Sequence, residues 1–169
     1  MDLQLFNDTI NPIKDKLYRF SLRYVKNPME AEDVVQEVFI KLWKNRDQID
    51  QIKNIEAWCM RVTRNLSIDK LRAAHNRLKQ MPEGMEWTDP NVSPQRQTEL
   101  NETMAKVKQW IEELPEAQRN VIQLRDIEQF SYKEIAAALE ISMELVKVNL
   151  HRARKTIRKK LLDSNSYGI

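Results

Sequence analysis

Seven lysines and arginines and not one acid lie between Leu145 and Leu162, where the chain reads L-V-K-V-N-L-H-R-A-R-K-T-I-R-K-K-L-L. Wound at about 3.6 residues per turn, this stretch puts Leu145, Val146, Leu150, Ala153 and Ile157 on one side. Lys147, Arg152, Arg154, Lys155 and Arg158 then project away from that stripe. An apolar back and a cationic front let a helix sit on a packed domain while it faces phosphates. The same pattern also serves a membrane surface, a protein partner or a solvated face. The helix alone does not choose among these.

What precedes it narrows the choice. In F-S-Y-K-E-I-A-A-A-L-E-I-S, Ser131 and Glu134 have capping-box spacing, which predicts a helix starting near Tyr132. Ile135, Ala136 and Leu139 give that helix a short apolar face, and Ala136, Ala137 and Ala138 allow close approach of a neighbour. Glu140 and Ile141 form a brief connection, after which the Ser142 hydroxyl can cap the basic helix. Two helices joined by so short a turn, the second one basic, make a helix-turn-helix. The turn often contains glycine, and Glu140 stands there instead. Either Glu140 takes a left-handed backbone or the turn has another geometry.

Composition limits the rest. The chain has 169 residues, enough for one domain or two small ones, and a formal net charge of only +3, so its basic character is local. Two glycines and six prolines among many strong helix formers predict a mostly helical fold. No apolar run approaches the roughly 18 residues of a membrane span, and the N-terminus lacks a signal-peptide core. Cys59 is the only cysteine, so no intrachain disulfide forms, which suits a reducing cytoplasm. One thiol and two distant histidines argue against a zinc site. There is no glycine-rich phosphate loop and no nucleophile elbow. The expectation is therefore a protein with no catalytic residues, metal, cofactor or small-molecule substrate.

The stretch from Leu78 to Pro94 holds three prolines and one glycine and keeps no period, which predicts a flexible linker. It divides an all-α chain into two small helical domains, residues 1–78 and 95–169, with 79–94 between them and the helix-turn-helix in the second. Trp87 inside the linker reads as an incidental surface aromatic or a docking residue. In the first domain Asn11-Pro12 is expected to open a helix through Ile13, Leu17, Phe20, Leu22 and Val25. Asn27 caps and Pro28 begins a second helix, which packs Ala31, Val34, Val35, Val38, Leu42 and Trp43. A third runs from Ile55 to Arg77 with Ile55, Trp58, Cys59, Val62, Leu66 and Leu71 inward, Cys59 as a small core hydrophobe. In the second domain Ser93-Pro94 opens a helix with Leu100, Met104, Val107, Ile111 and Leu114. Leu114-Pro115 restarts one carrying Val121, Ile122, Leu124 and Ile127.

Two charged faces of opposite sign stand out in the first domain. Glu30, Glu32, Asp33 and Glu37 cluster with Gln36 on the second helix. Asp33 and Glu37 are one turn apart, which costs a few tenths of a kcal/mol in an isolated helix and is partly offset by the helix N-terminus. The cluster is either dipole placement on a solvated face or a dock for a basic protein. From Arg61 to Lys79 the chain carries Arg61, Arg64, Lys70, Arg72, Arg77 and Lys79 against Asp69 alone. Basic faces in both domains suggest a chain that grips nucleic acid at two places, each contact raising the effective concentration of the other.

These residues resemble the extracytoplasmic-function (group IV) sigma factors of bacterial RNA polymerase. E-A-E-D-V-V-Q-E-V-F-I-K-L-W is similar to the family's region 2 helix, and N-I-E-A-W-C-M-R-V-T-R-N-L-S-I-D-K-L-R to its promoter-melting helix. L-P-E-A-Q-R-N-V-I-Q-L-R, F-S-Y-K-E-I-A and L-H-R-A-R-K resemble region 4. The resemblance spans nearly the whole chain, with its motifs in order. It implies a sigma factor that binds core RNA polymerase and promoter DNA, with Asp33, Gln36 and Glu37 on the clamp helices of the largest subunit. Arg61, Arg64, Asn65 and Arg72 then serve the −10 element, Asn65 at the pocket for a flipped base, and the loop from Asp47 to Asn54 reads sequence. Lys147, Asn149, His151 and Arg152 enter the −35 major groove, with Arg154 and Lys155 on the backbone. The family often reads G-T-V-K-S-R where this chain has E-L-V-K-V-N from Glu144 to Asn149. Val148 suits a thymine methyl and Asn149 an adenine edge, which implies a −35 preference unlike that of common relatives. Many members are held inactive by a membrane-anchored anti-sigma factor, a further candidate partner in a cytoplasmic, nucleoid-associated protein. Rival readings are a dimeric helix-turn-helix regulator and a helical adaptor that never touches DNA.

Overall fold

The computed structural model describes residues 3–80 and 99–166, and among them it holds helices and turns but no strand. Trp87 and nearly all of the expected linker lie outside the described residues. The helices form two compact units, the first centred on α1 (Leu3–Val25), α2 (Pro28–Lys44) and α3 (Ile55–Lys79). The second is centred on α4 (Glu99–Glu112), α5 (Glu116–Ile122) and α7 (Met143–Ser166), with α6 (Tyr132–Leu139) leading into α7.

In the first unit each helix packs on the other two. Leu17 and Phe20 of α1 meet a core of Ala31, Val34, Val38 and Leu42 from α2, all essentially inaccessible. The Asn27 carboxamide oxygen accepts from the backbone N–H groups of Met29 and Glu30, as its place before Pro28 predicts. Asn54 caps α3 in the same way through the N–H of Ala57.

Two expectations fail here for physical reasons. Pro12 does not open α1 but lies inside a helix that begins at Leu3. A proline in a helix interior costs about 3 kcal/mol. Burial of Phe6 roughly offsets this, at about 1.5–3 kcal/mol for a large apolar side chain. Its edge-on contact with Trp43 at 5.1 Å adds to that.

The buried stripe of α3 is also rotated from the expected one. Ala57, Cys59, Met60, Thr63 and Ser67 are buried, Trp58, Val62 and Leu66 are half-buried, and Leu71 is exposed. Small residues let α1 and α3 approach, and the buried Ser67 hydroxyl donates to that of Ser21 at 3.0 Å. Thr63 Oγ1 satisfies itself on the Cys59 carbonyl at 2.8 Å. Burial, with Glu56 nearby, pushes the Cys59 thiol up to about 12, which fits an inert core group.

In the second unit α7 packs on α5 and α4. Ile111, Leu114, Val121, Ile122, Leu124, Phe130, Val146, Leu150 and Ala153 are buried. Met104 is exposed, contrary to its expected place. After α5 the backbone widens into a π-turn, Gln123–Ile127, in which the Glu128 N–H reaches the Gln123 carbonyl at 3.0 Å. The extra residue turns Ile127 outward and Glu128 inward, where the Gln123 side-chain amide donates to its carboxylate at 3.1 Å.

Candidate nucleic-acid interface

The helix-turn-helix is built by local chemistry. Ser131 Oγ accepts from the Glu134 N–H at 3.2 Å, and the Glu134 carboxylate accepts from the Ser131 N–H at 2.7 Å. α6 then stops at Glu140, whose φ of 56° and ψ of 45° are left-handed. Of the two possibilities at this turn, Glu140 takes the strained backbone, at roughly 1–2 kcal/mol relative to the right-handed form. Ser142 Oγ accepts from the Leu145 N–H at 3.1 Å and starts α7.

α7 carries its apolar stripe on Val146, Leu150 and Ala153, all buried, with Ile157 half-buried. Two residues exchange places against expectation. Asn149 is only 6% exposed and faces into the domain, not into a DNA groove. Leu145, expected in the stripe, is 44% exposed. Asn149 lies three residues from Val146 and one from Leu150, so packing of those two carries it inward.

The exposed side of α7 divides into two flanks. Lys147, His151, Arg154, Lys155 and Arg158 line a groove of about 560 Å³ together with Tyr132 and Leu150. Leu145, Val148 and Arg152, spaced by three and four, follow the other flank.

Two residues of the π-turn hold the first flank in place, and the sequence reading missed both. The Arg125 guanidinium lies 5.0 Å from the Tyr132 ring centroid and donates to the Phe130 carbonyl at 2.8 Å. Asp126 accepts two bonds from Arg154, at 3.0 Å from Nε and 2.5 Å from Nη2. That hydrogen-bonded carboxylate raises the Arg154 guanidinium above its ordinary value. Arg154, expected as a free backbone contact, is thus already paired. Farther along, Lys160 is bound to Glu113 and holds that carboxyl below its ordinary value.

In the first unit Asp33, Gln36 and Glu37 are all exposed on α2. Asp33 and Gln36 lie between two exposed apolar residues, Met29 and Ile40, in an i, i+4, i+7, i+11 line, with Glu37 beside it at i+8. Gln36 also lines a groove of about 720 Å³ between α1 and α2. The opposite charges of α2 and α3 partly answer each other: Lys70 lies 3.7 Å from Asp33, and Arg77 3.9 Å from Glu30. On α3 Asn65 and Arg72 are exposed and Arg61 half-buried, and their spacing puts the three on one face. Trp58, expected in the core, is half-exposed at the head of that face. Arg64 is half-buried about a quarter-turn round the helix. The expected reading loop is a tight 3₁₀ turn, Arg46–Gln51, with the Arg46 guanidinium 4.9 Å from the Trp43 ring centroid.

Two helical units, one with a helix-turn-helix and the other with a basic helix crossing an acidic one, define a DNA-binding protein of transcription. Residues 10–77 match the family Sigma-70 region 2, and residues 104–157 match Sigma-70, region 4. The chain is 32% identical over 177 residues to the ECF RNA polymerase sigma factor SigW of Bacillus subtilis, covering 96% of this chain and 91% of that one. It is 31% identical over 156 residues to the RNA polymerase sigma-E factor of Streptomyces avermitilis, covering 92% and 84%. Its fold is like that of the sigma factor RpoE of Bartonella quintana, solved with the anti-sigma factor NepR. That match has a TM-score of 0.74 at 23% identity and covers 94% of this chain and 98% of that one. CnrH, solved with the cytosolic domain of CnrY, aligns with a TM-score of 0.68 at 24% identity over 96% and 90%. The chain belongs to the ECF sigma factors, which direct RNA polymerase to promoters.

Proposed function

We propose that α2 recruits core RNA polymerase while α3 and α7 engage the −10 and −35 elements. The observation that carries this reading is the segregation of charge: exposed acids on α2, and on α7 a cationic surface without an acid between Leu145 and Leu162. Asp33, Gln36 and Glu37, framed by Met29 and Ile40, offer a basic clamp surface both charge and apolar contact. The outward face of α3 offers Asn65 to a flipped base, Trp58 as a stacking surface, and Arg61 and Arg72 to phosphates, with Arg64 reaching them from its flank. Flipping a base costs a few kcal/mol of stacking, which those contacts must offset.

On α7, Lys147, His151 and Arg152 reach the major groove and Lys155 the backbone. Arg154 takes the backbone role only with Asp126 attached. The chain supplies binding and no bond-making, so its part is that of an initiation factor and not an enzyme. Among the described residues no helix is long and apolar enough to cross a membrane. The work proposed for it is cytoplasmic, on the nucleoid, with an anti-sigma protein as a further partner. A dimeric regulator or a protein-only adaptor would leave the region 2 domain without a task.

The dividing experiment is Arg152→Ala. Duplex −35 binding by the holoenzyme should weaken about tenfold, the loss expected for one good base or phosphate contact. Association with core polymerase, read by anisotropy of labelled chain, should not change. Loss of both would refute the division of labour.

A further inference from the structure

The geometry points to Leu145 and Val148 as a pair that reads thymine methyl groups on adjacent base pairs of the −35 element. The inference rests on the promoter-binding reading of α7. Leu145 is 44% exposed and Val148 41% exposed in the first two turns of the helix. They are three residues apart on one flank, with Arg152 a further turn along it. Apolar side chains set among cations are matched by a surface that is anionic at its edges and apolar at points within. The major groove of DNA is such a surface, and its apolar group is the thymine C5 methyl.

Neither Leu145 nor Val148 can bond a base edge. Pressed against the amino group of cytosine or adenine, either would strip a donor of water and return nothing. Against thymine it buries a methyl instead. Three residues of helix rise about 4.5 Å, close to the roughly 3.4 Å step between base pairs, so the two side chains address neighbouring pairs. The inward turn of Asn149 strengthens the case, because it removes the amide otherwise available to read adenine on this part of the helix.

The test replaces thymine with deoxyuracil, which removes only the methyl. The full chain with core polymerase selects from a duplex pool randomised across the −35 positions, and the selected duplex is remade with each thymine changed in turn. Binding should weaken about fourfold at each of two adjacent positions, the effect of one buried methyl. In the double variant L145S/V148S the thymine-to-deoxyuracil ratio should fall to about one. Equal binding of both bases at every position would overturn the inference, as would a ratio that survives the double variant. A double variant that loses polymerase or inhibitor binding while keeping the ratio would assign the pair to a protein contact and overturn it too. Failure of the pool to converge on any sequence would sink the promoter reading itself. The base substitution leaves the protein untouched, so the comparison of thymine with deoxyuracil does not depend on how the variant folds.

Discussion

The basic helices of the two domains differ in how their charge is answered. On α3, Lys70 and Arg77 face Asp33 and Glu30 of α2, at 3.7 and 3.9 Å. Among the described residues, Arg154 and Lys160 alone on α7 have acidic partners, while Lys147, Arg152, Lys155 and Arg158 stand exposed. A surface that neutralises itself gains little from phosphates, since fewer counterions are released when it binds. On the proposed reading most of the duplex electrostatics falls to α7. α3 then serves the opened strand, through Asn65 and Trp58 with Arg61 and Arg72 on its phosphates.

The strongest way to break that comparison is to invert α2. Asp33→Lys with Glu37→Lys should weaken association with core polymerase by roughly a hundredfold, since like-charge contacts at an interface cost several kcal/mol. The Asp33 side chain is 65% exposed and that of Glu37 47%, and neither belongs to the core, so the fold should survive. Wild-type assembly in a titration would leave the acidic face without a role. Next in size, Asn65→Ala should slow strand opening about tenfold, as pocket contacts no longer offset unstacking. Permanganate reactivity over time reads this step, and an unchanged rate with weaker initial binding would move Asn65 out of the pocket.

Salt dependence sharpens the comparison further. Removal of a free phosphate-binding cation lowers the slope of log affinity against log salt by about one. Arg154→Ala should lower it by less, because Asp126 already answers that charge, and Lys70→Ala should scarcely alter it. Equal slopes for Lys70→Ala and Arg152→Ala would erase the distinction between the helices. The smallest effect lies in the turn that links α6 to α7. Glu140→Gly should relieve the left-handed strain and stabilise the chain by about 0.5–1 kcal/mol, visible as a Tm a few degrees higher. A lower Tm would mean that the carboxylate does more than occupy the turn.

Legibility in the sequence followed the range of the forces at work. The Ser131–Glu134 box, the Asn27-Pro28 start and the Ser142 cap are set by neighbours within three residues, and each stands where the residue types placed it. The order of the helices was legible for the same reason, since strong helix formers and few breaks decide it locally. Packing azimuth was not. Asn149 and Leu145 exchanged faces because the helices beneath α7 select which side is buried, and a wheel drawn from apolar residues alone cannot supply that. Ser21, Thr63 and Ser67 add nothing to an apolar stripe, and close helix approach buries them and gives their hydroxyls partners. The π-turn broke the 3.6-residue period between Leu124 and Ile127, hiding the inward Glu128 and the outward Asp126. Pro12 shows the converse, a strong local signal overruled by the burial of Phe6.

These failures bear on the candidate sites unequally. Asp33, Gln36 and Glu37 on α2, and Asn65 and Arg72 on α3, lie on outer faces that a wheel can find. Arg154 is different, since its pairing with Asp126 joins residues 28 apart in the chain and becomes visible only in three dimensions.

The central claim is that one face recruits the polymerase and another brings it to DNA. It is tested most directly by mapping RNA 5′ ends from the purified chain with core polymerase on fragments of the source genome. The account predicts discrete start sites that need the added chain. It also predicts that they disappear with Asp33→Lys and Glu37→Lys and weaken with Arg152→Ala. Core polymerase that starts at the same places without the chain, or at no defined place with it, would contradict the account.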